Sequence, residues 1–189
     1  MEVMKFYNII LIRKEKDMLK FRFGISFLVV LFCLTGCGSN PVDLVKKGTI
    51  SLDMSITVED ALDRYDYFSS TSWTTFEDTQ KRTIVEFRGV MDFDSYVNST
   101  FAGIALSQEM ISKARDTVTA LIYIAQFAIS KSDVTFSLRY SGLNILGTHM
   151  KTGEAVDKKM PDENRKMILA IYNNSPETTT WSALYSLSQ

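Results

Sequence analysis

The segment that decides the fold is a run of alternating residues, Val134-Thr135-Phe136-Ser137-Leu138-Arg139-Tyr140. Apolar and polar side chains alternate along the whole run, and a period of two predicts a β-strand with one buried face. We expect Phe136 and Leu138 to point into the core. Gly142 follows directly and predicts a bend into a further short strand.

A second pair of strands is predicted upstream of this segment. Residues 73–76 and 83–93 are rich in aromatic and β-branched residues, and the polar residues 77–81 between them predict a hairpin turn. Within the second run, Gly89 indicates a bulge or a close approach of another group to the backbone. These two strands add a hairpin to the sheet.

Three helices are predicted from apolar residues at helical spacing. The first begins at Thr57, whose hydroxyl is placed to cap the backbone N–H of Asp60. The longest covers residues 106–129, and because its second half is apolar nearly all round we expect a buried central helix. The last begins near Pro161, after a polar loop at residues 148–159. Its inward residues are Met167, Ile168, Ile171 and Tyr172.

Pairs of strands separated by helices predict an α+β fold, with an antiparallel sheet and helices packed on one face in a two-layer sandwich. We expect residues 48–189 to form this single domain. Residues 37–47 contain Gly, Ser, Asn and Pro and are predicted to be a tether before it.

The N-terminal region has the charge and hydropathy pattern of an export signal. Lys20 and Arg22 precede an apolar run over residues 24–34. This run is well short of the ~20 residues that a membrane-spanning helix needs. It ends in Leu34-Thr35-Gly36-Cys37. The run and the tetrapeptide together resemble the signal peptide and lipobox of bacterial lipoproteins.

This resemblance implies cleavage between Gly36 and Cys37 and a lipid on the Cys37 thiol. Its acyl chains would be the link to the membrane, so the protein is expected to be anchored and not spanning. Gly38 and Ser39 resemble the residues of lipoproteins sorted to the outer membrane, on the side facing the periplasm. Residues 1–36 would be the leader, and because residues 1–17 fit no signal, we expect Met18 to be the true start.

The mature part resembles, over residues 48–93, a domain of uncharacterised bacterial exported lipoproteins. The segments that carry this resemblance are residues 57–62, Trp73-x-x-Phe76 and residues 85–89. That group has no established activity, so the resemblance implies a compact envelope domain and no reaction.

Composition excludes some function classes. The chain has a net charge of −1, and the leader removes six basic and three acidic residues, so the remainder is acidic. An acidic domain is a poor nucleic-acid binder, because phosphate contacts need clustered Lys and Arg. The chain's two cysteines, Cys33 and Cys37, leave no thiol in residues 38–189 for a disulfide or a metal.

No catalytic, cofactor or metal site is predicted. His149 has no partner at ligand spacing. Asp92-x-Asp94 resembles a fragment of a calcium loop without its glycine and terminal glutamate. The acidic stripe of the first helix is expected to be a solvated face, with Glu59, Asp60, Asp63 and Asp66. The aromatic residues are expected to form the core; a ligand pocket is the alternative. They are Trp73, Phe76, Phe87, Phe93, Phe101, Tyr123, Phe136 and Tyr140.

Two functional hypotheses remain. The first is a lipid-anchored, non-enzymatic binding or structural domain for an envelope protein or a small apolar ligand, using the sheet or a groove beside the central helix. The alternative is a lipoprotein enzyme acting on cell-wall or other envelope material through carboxylates scattered in the sequence.

The anchor is tested by Cys37→Ser. A serine hydroxyl is a much weaker nucleophile than a thiolate, so this variant should accept no lipid and persist as an uncleaved precursor. Incorporation of labelled palmitate into the two proteins measures the difference. Wild-type protein that takes up no label would contradict the lipoprotein interpretation.

Overall fold

The computed structural model describes residues 40–130, 132, 135–148 and 153–189. Asn40–Gln189 form one compact unit. The predicted lipidation site Cys37, the cleavage site at Gly36 and the single histidine His149 lie outside the described residues. Within the described segments, no helix is long and apolar enough to cross a membrane.

Within the described residues, seven strands lie in two antiparallel sheets. They are β1 (Phe68–Glu77), β2 (Thr83–Met91), β3 (Thr100–Phe101), β4 (Ile104–Ala105), β5 (Val118–Ile129), β6 (Phe136–Thr148) and β7 (Ala155–Pro161). The main sheet has the order β1-β2-β5-β6-β7, and β3 pairs with β4 in a small hairpin of its own. The main sheet is therefore a meander, interrupted between β2 and β5.

The helices all contribute to one core. They are α1 (Pro41–Lys47), α2 (Val58–Leu62), α3 (Gln108–Thr117), α4 (Lys166–Tyr172) and α5 (Thr178–Leu187), with 3-10 turns at Asp94–Tyr96 and Glu163–Arg165. Their buried residues join the same cluster as Phe87, Tyr123 and Phe127 of the sheet. The described helices thus cover the sheet face that carries these three rings, and the predicted α+β class is confirmed.

The helix predicted for residues 106–129 is confirmed over α3 and wrong over its second half, which we expected to be a buried central helix. α3 ends at Thr117, and the backbone becomes extended at Val118, with φ −115 and ψ 120. In β5, Tyr123 and Phe127 are buried on the helix-covered face, and Ile124 and Ala128 are buried on the opposite face. A strand enclosed on both faces loses its polar alternation, so its sequence imitates that of a buried helix.

The strand predicted from alternation is confirmed and is longer than expected. Phe136 and Leu138 are half-buried and pack against the core. They pair with Ile129 and Phe127 of β5, and a register shift next to the Leu138–Phe127 pair disturbs the ladder. This shift places Tyr140 on the face opposite to Leu138.

The bend predicted at Gly142 is wrong, and the loop predicted for residues 148–159 is wrong at Thr148 and over residues 155–159, which lie in β6 and β7. Residues 149–152 of the predicted loop lie outside the described residues. β6 continues through Gly142 to Thr148, and β7 pairs with it. A Cβ at position 142 would lie 2.5 Å from the Tyr140 hydroxyl oxygen and 2.6 Å from the Met160 carbonyl oxygen. The glycine therefore marks a close approach inside a strand. The sequence of β7 predicts a loop because most of its side chains are exposed and it therefore lacks an apolar pattern.

The tether predicted for residues 37–47 is wrong over its last seven residues. The Asn40 side chain accepts a hydrogen bond from the backbone N–H of Val42, and Pro41 opens α1. Val45 is fully buried in the core. Proline and glycine at the two ends of this segment start and stop a short helix; they do not mark a linker. The compact domain begins at Asn40 instead of residue 48.

Two local predictions are confirmed. β1 and β2 form the expected hairpin, in which Trp73 pairs with Phe87. The Thr57 hydroxyl accepts from the backbone N–H of Asp60 at 3.1 Å and begins α2. Residues 181–187, which the sequence left unassigned, lie in α5.

Gly89 provides a test of the core. A Cβ built at this position would lie 2.6 Å from the ring of Phe68. Gly89→Ala should therefore lower the free energy of unfolding by about 1–3 kcal/mol, because the ring is forced out of its packing. Urea titration measures the loss.

The matched control is the double variant Phe68→Leu/Gly89→Ala. It should be more stable than the sum of the two single losses predicts, because the smaller side chain removes the clash. Wild-type stability in Gly89→Ala would contradict the packing of Phe68 on Gly89.

Candidate functional site

A cleft of about 500 Å³ opens where β7 ends and where α4 and α5 begin. The tip of the β3–β4 hairpin closes one side of it. Its lining mixes charged, hydroxyl and apolar side chains. The residues that shape it are Phe101, Lys159, Asp162, Lys166, Thr178 and Ser182.

The floor of the cleft is fixed by Asp162. One carboxylate oxygen accepts from the backbone N–H of Met167 at 2.9 Å, and the other accepts from the N–H of Ile168 at 3.0 Å. The second oxygen also accepts from the Ser141 hydroxyl at 3.1 Å. Asp162 therefore caps the first turn of α4 and ties it to β6. These three hydrogen bonds use both oxygens of the carboxylate to hold α4 and β6 in place.

Glu177 caps the N-terminus of α5 in the same way. It is fully buried, and its two oxygens accept from the backbone N–H groups of Thr179 and Thr180, both at 2.6 Å. The partial positive charge at the N-terminus of a helix stabilises such a carboxylate. Both helix N-termini at the cleft are thus filled by the chain's own carboxylates.

A layer of buried tyrosines lies beside Glu177. The Tyr96 hydroxyl accepts from the backbone N–H of Glu177 at 3.3 Å, and the Tyr65 hydroxyl donates to the carbonyl of Ser175 at 2.7 Å. Loss of contact with water raises the pKa of both phenols. Burial also raises the pKa of Tyr123, which is fully enclosed.

One side of the cleft, which we call the rim, is the tip of the β3–β4 hairpin: Phe101 lines the cleft, and Ile104 is its partner in the hairpin. Phe101 is 45% exposed and Ile104 is 41% exposed, at the two ends of a tight turn. The turn residues Ala102 and Gly103 have positive φ, as two-residue hairpins of this hand require. The ring of Phe101 lies 5.5 Å from that of Trp181. The hairpin thus holds two large apolar side chains toward solvent.

Trp181 anchors this rim to the core. Its indole N–H donates to the carbonyl of Ser99 at 3.0 Å, and its ring stacks on Tyr185 at 5.3 Å. The hairpin is therefore fixed at its base, and its two exposed side chains have a defined position.

Asp92 and Asp94 do not form a metal site. Asp92 accepts from the N–H of Asp94 and from the Ser95 hydroxyl, and Asp94 forms an ion pair with Arg115 at 2.8 Å. The hydrogen bond from Arg115 lowers the pKa of Asp94. Within the described residues, no three candidate ligands come together around a point where an ion could bind.

The acidic stripe of α2 is mostly paired. Lys46 of α1 contacts Glu59 at 2.8 Å and Asp63 at 2.9 Å, and the hydrogen bonds, led by that with Glu59, raise the pKa of Lys46. Asp63 also accepts from the Trp73 indole N–H. The stripe therefore joins α1, α2 and β1.

Most of the aromatic residues proposed for the core lie there, including Phe87, Phe93 and Tyr123. Phe76 and Phe101 are exposed and Tyr140 is not part of the core cluster, which corrects the assignment of these three residues. Neither Glu177 nor Trp181, which support the helix and the hairpin beside the cleft, was predicted from the sequence. Glutamate is an uncommon N-cap, so no standard capping signal marks it.

Comparison with known proteins identified no family, no curated protein and no solved structure that matches this chain.

The tyrosine layer predicts sensitivity to alkali. Above pH ~10 the unfolded chain releases phenolic protons that the buried Tyr65, Tyr96 and Tyr123 retain. The unfolded state then binds fewer protons, so stability is complete below this pH and falls as the pH rises. Urea unfolding at increasing pH measures this fall.

Above pH ~10, Tyr96→Phe should reduce the slope of the free energy of unfolding against pH by about 1.4 kcal/mol per pH unit, which is the contribution of one phenol. A slope that is unchanged in this variant would place Tyr96 in contact with water.

Proposed function

We propose that this protein is a lipid-anchored envelope domain whose work is binding, and that the cleft receives an extended segment of a protein partner. The observation that carries the proposal is the pair Phe101 and Ile104, which a tight hairpin holds in solvent at the rim. Exposed aromatic side chains beside a concave site are typical of protein-binding surfaces.

The chemistry of the cleft favours a peptide segment over a small apolar ligand. Its rim is apolar, but its lining also includes the exposed polar residues Lys159, Lys166 and Thr178. An apolar side chain of the partner would pack on Phe101, and these polar side chains would satisfy its neighbouring backbone groups. The groove beside a central helix, which the sequence analysis considered, does not exist because β5 is a strand.

The enzymatic alternative needs two carboxylates that face a substrate. The cleft is lined by Asp162 and Glu163. Asp162 is engaged as a helix cap with two backbone N–H groups and a hydroxyl, which leaves Glu163 as a single carboxylate.

The proposed anchor would keep the domain close to the bilayer. Cys37 is three residues before Asn40, where α1 is capped, and three residues reach at most ~11 Å. With a lipid on Cys37, the end of the domain that carries α1 would lie next to the membrane. The protein would act at the outer membrane, on the side facing the periplasm.

The binding site is tested with a photo-activated benzophenone residue at position 101, in cells that carry the lipidated protein. We expect crosslinking to one protein species, and we expect a decrease of at least tenfold when Ile104→Asp is added. The decrease follows because a charge at the rim disfavours apolar contact.

The matched control places the same probe at Leu169, which is 46% exposed on α4 and does not line the cleft. That position should give no such product. Equal crosslinking at both positions, or no effect of Ile104→Asp, would contradict the assignment of the rim.

A further inference from the structure

The described lysines and arginines fall into two groups along the chain. Between residues 40 and 130, every one of them forms an ion pair with a carboxylate. Among the described residues after 135, none of them does. The unpaired residues are Arg139, Lys158, Lys159, Arg165 and Lys166. The second half of the fold therefore carries cations that the described chain leaves free to bind an anion.

Four of these unpaired cations line two adjoining clefts. Lys159 and Lys166 line the cleft described above, and Arg139 and Arg165 line a smaller one of about 230 Å³. Residues 161–162 belong to the lining of both, so the two clefts meet there. We call these four residues the cleft cations.

The acidic residues of the two linings do not balance the cleft cations. They are Asp162 and Glu163. Asp162 accepts three hydrogen bonds as the cap of α4. Glu163 is then the one carboxylate of the linings that is not engaged in this way. The two clefts together carry an excess of positive charge.

Irregular backbone places the two arginines. Arg139 has no partner in β5, because Leu138 and Tyr140 pair with consecutive residues of that strand. A bulge of this kind re-aims a side chain away from the regular pattern of the sheet. Arg165 has φ 58 and ψ 29, in the left-handed region that residues other than glycine disfavour.

We propose that the partner segment received by the cleft is acidic, with carboxylates that bind the cleft cations and an apolar side chain that packs on Phe101. This inference rests on the proposed function and names the chemistry of the partner. The planar guanidinium of arginine can bind a carboxylate through two parallel hydrogen bonds. A polypeptide fits this site better than an anionic membrane surface, because the cleft cations line concavities and a bilayer is flat.

Two labelled peptides test this inference. Leucine alternates with glutamate in one and with glutamine in the other, so that the two differ in charge alone. Fluorescence anisotropy with the full-length chain in phosphatidylcholine bilayer discs measures the dissociation constants. At low salt the glutamate peptide should bind at least about tenfold more tightly, and salt should reduce this preference because it screens exposed charges.

Neutralising the cleft cations should remove the preference. The variant is Arg139→Gln/Lys159→Gln/Arg165→Gln/Lys166→Gln, and all four side chains are exposed. It should bind both peptides as weakly as the wild type binds the glutamine peptide, while its urea midpoint shows that the fold is intact.

The matched control removes the same number of charges from exposed sites outside the two clefts. It is Lys47→Gln/Arg64→Gln/Lys81→Gln/Lys113→Gln. This control should keep the preference for the glutamate peptide. Loss of the preference in both variants would reduce it to the net charge of the chain and overturn the proposal.

The uncharged change Phe101→Ser separates this inference from the proposed function. Equal binding of the two peptides, weakened for both by Phe101→Ser, would overturn the acidic partner and leave the cleft as a binding site. A preference that needs the cleft cations but is insensitive to Phe101→Ser would contradict the rim and not the acidic partner. Equal peptide binding, together with binding to phosphatidylglycerol vesicles that the cleft-cation variant loses, would assign these cations to a membrane surface and overturn the proposal.

Discussion

The enclosure of β5 on both faces is the constraint on which the rest of the structure depends. On one face, the helices pack on Tyr123 and Phe127; on the other face, Ile124 and Ala128 are also buried. This requires apolar residues at nearly every position of the strand, with β2 and β6 on either side to pair its backbone. β2 keeps its alternation over residues 85–91, and β6 keeps it only over its first residues, because Ser141 to Asn144 are all buried.

The same constraint decides what could be predicted. Elements with a single buried face were found from sequence: the β1–β2 hairpin, the start of β6 at Phe136, and the helix capped by Thr57. β5 was assigned to a helix because periodicity cannot distinguish two fully apolar elements. At the cleft, Phe101 and Asp162 come from distant segments, and only tertiary packing brings them together. The lipid anchor remains a prediction, since Cys37 lies outside the described residues.

The carboxylates of Asp162 and Glu177 serve structure. Asp162 and Glu177 each satisfy two backbone N–H groups that a helix end would otherwise leave without partners. The two helix ends at the cleft thereby need no external anion. What the cleft presents to solvent is therefore its apolar rim and the ammonium groups of Lys159 and Lys166, and our proposal of a binding function rests on these groups.

The meander order of the sheet has a consequence for how the chain reaches its native state. β1–β2, β5–β6 and β6–β7 are each neighbours in sequence, so most strand pairing closes short loops, which is a fast process. The pairing of β2 with β5 closes a longer loop, because residues 92–117 lie between these two strands. Because residues 38–189 contain no cysteine, none of these steps needs an oxidant or a disulfide isomerase. The pairing of the described strands is therefore independent of whether the surroundings are oxidising or reducing.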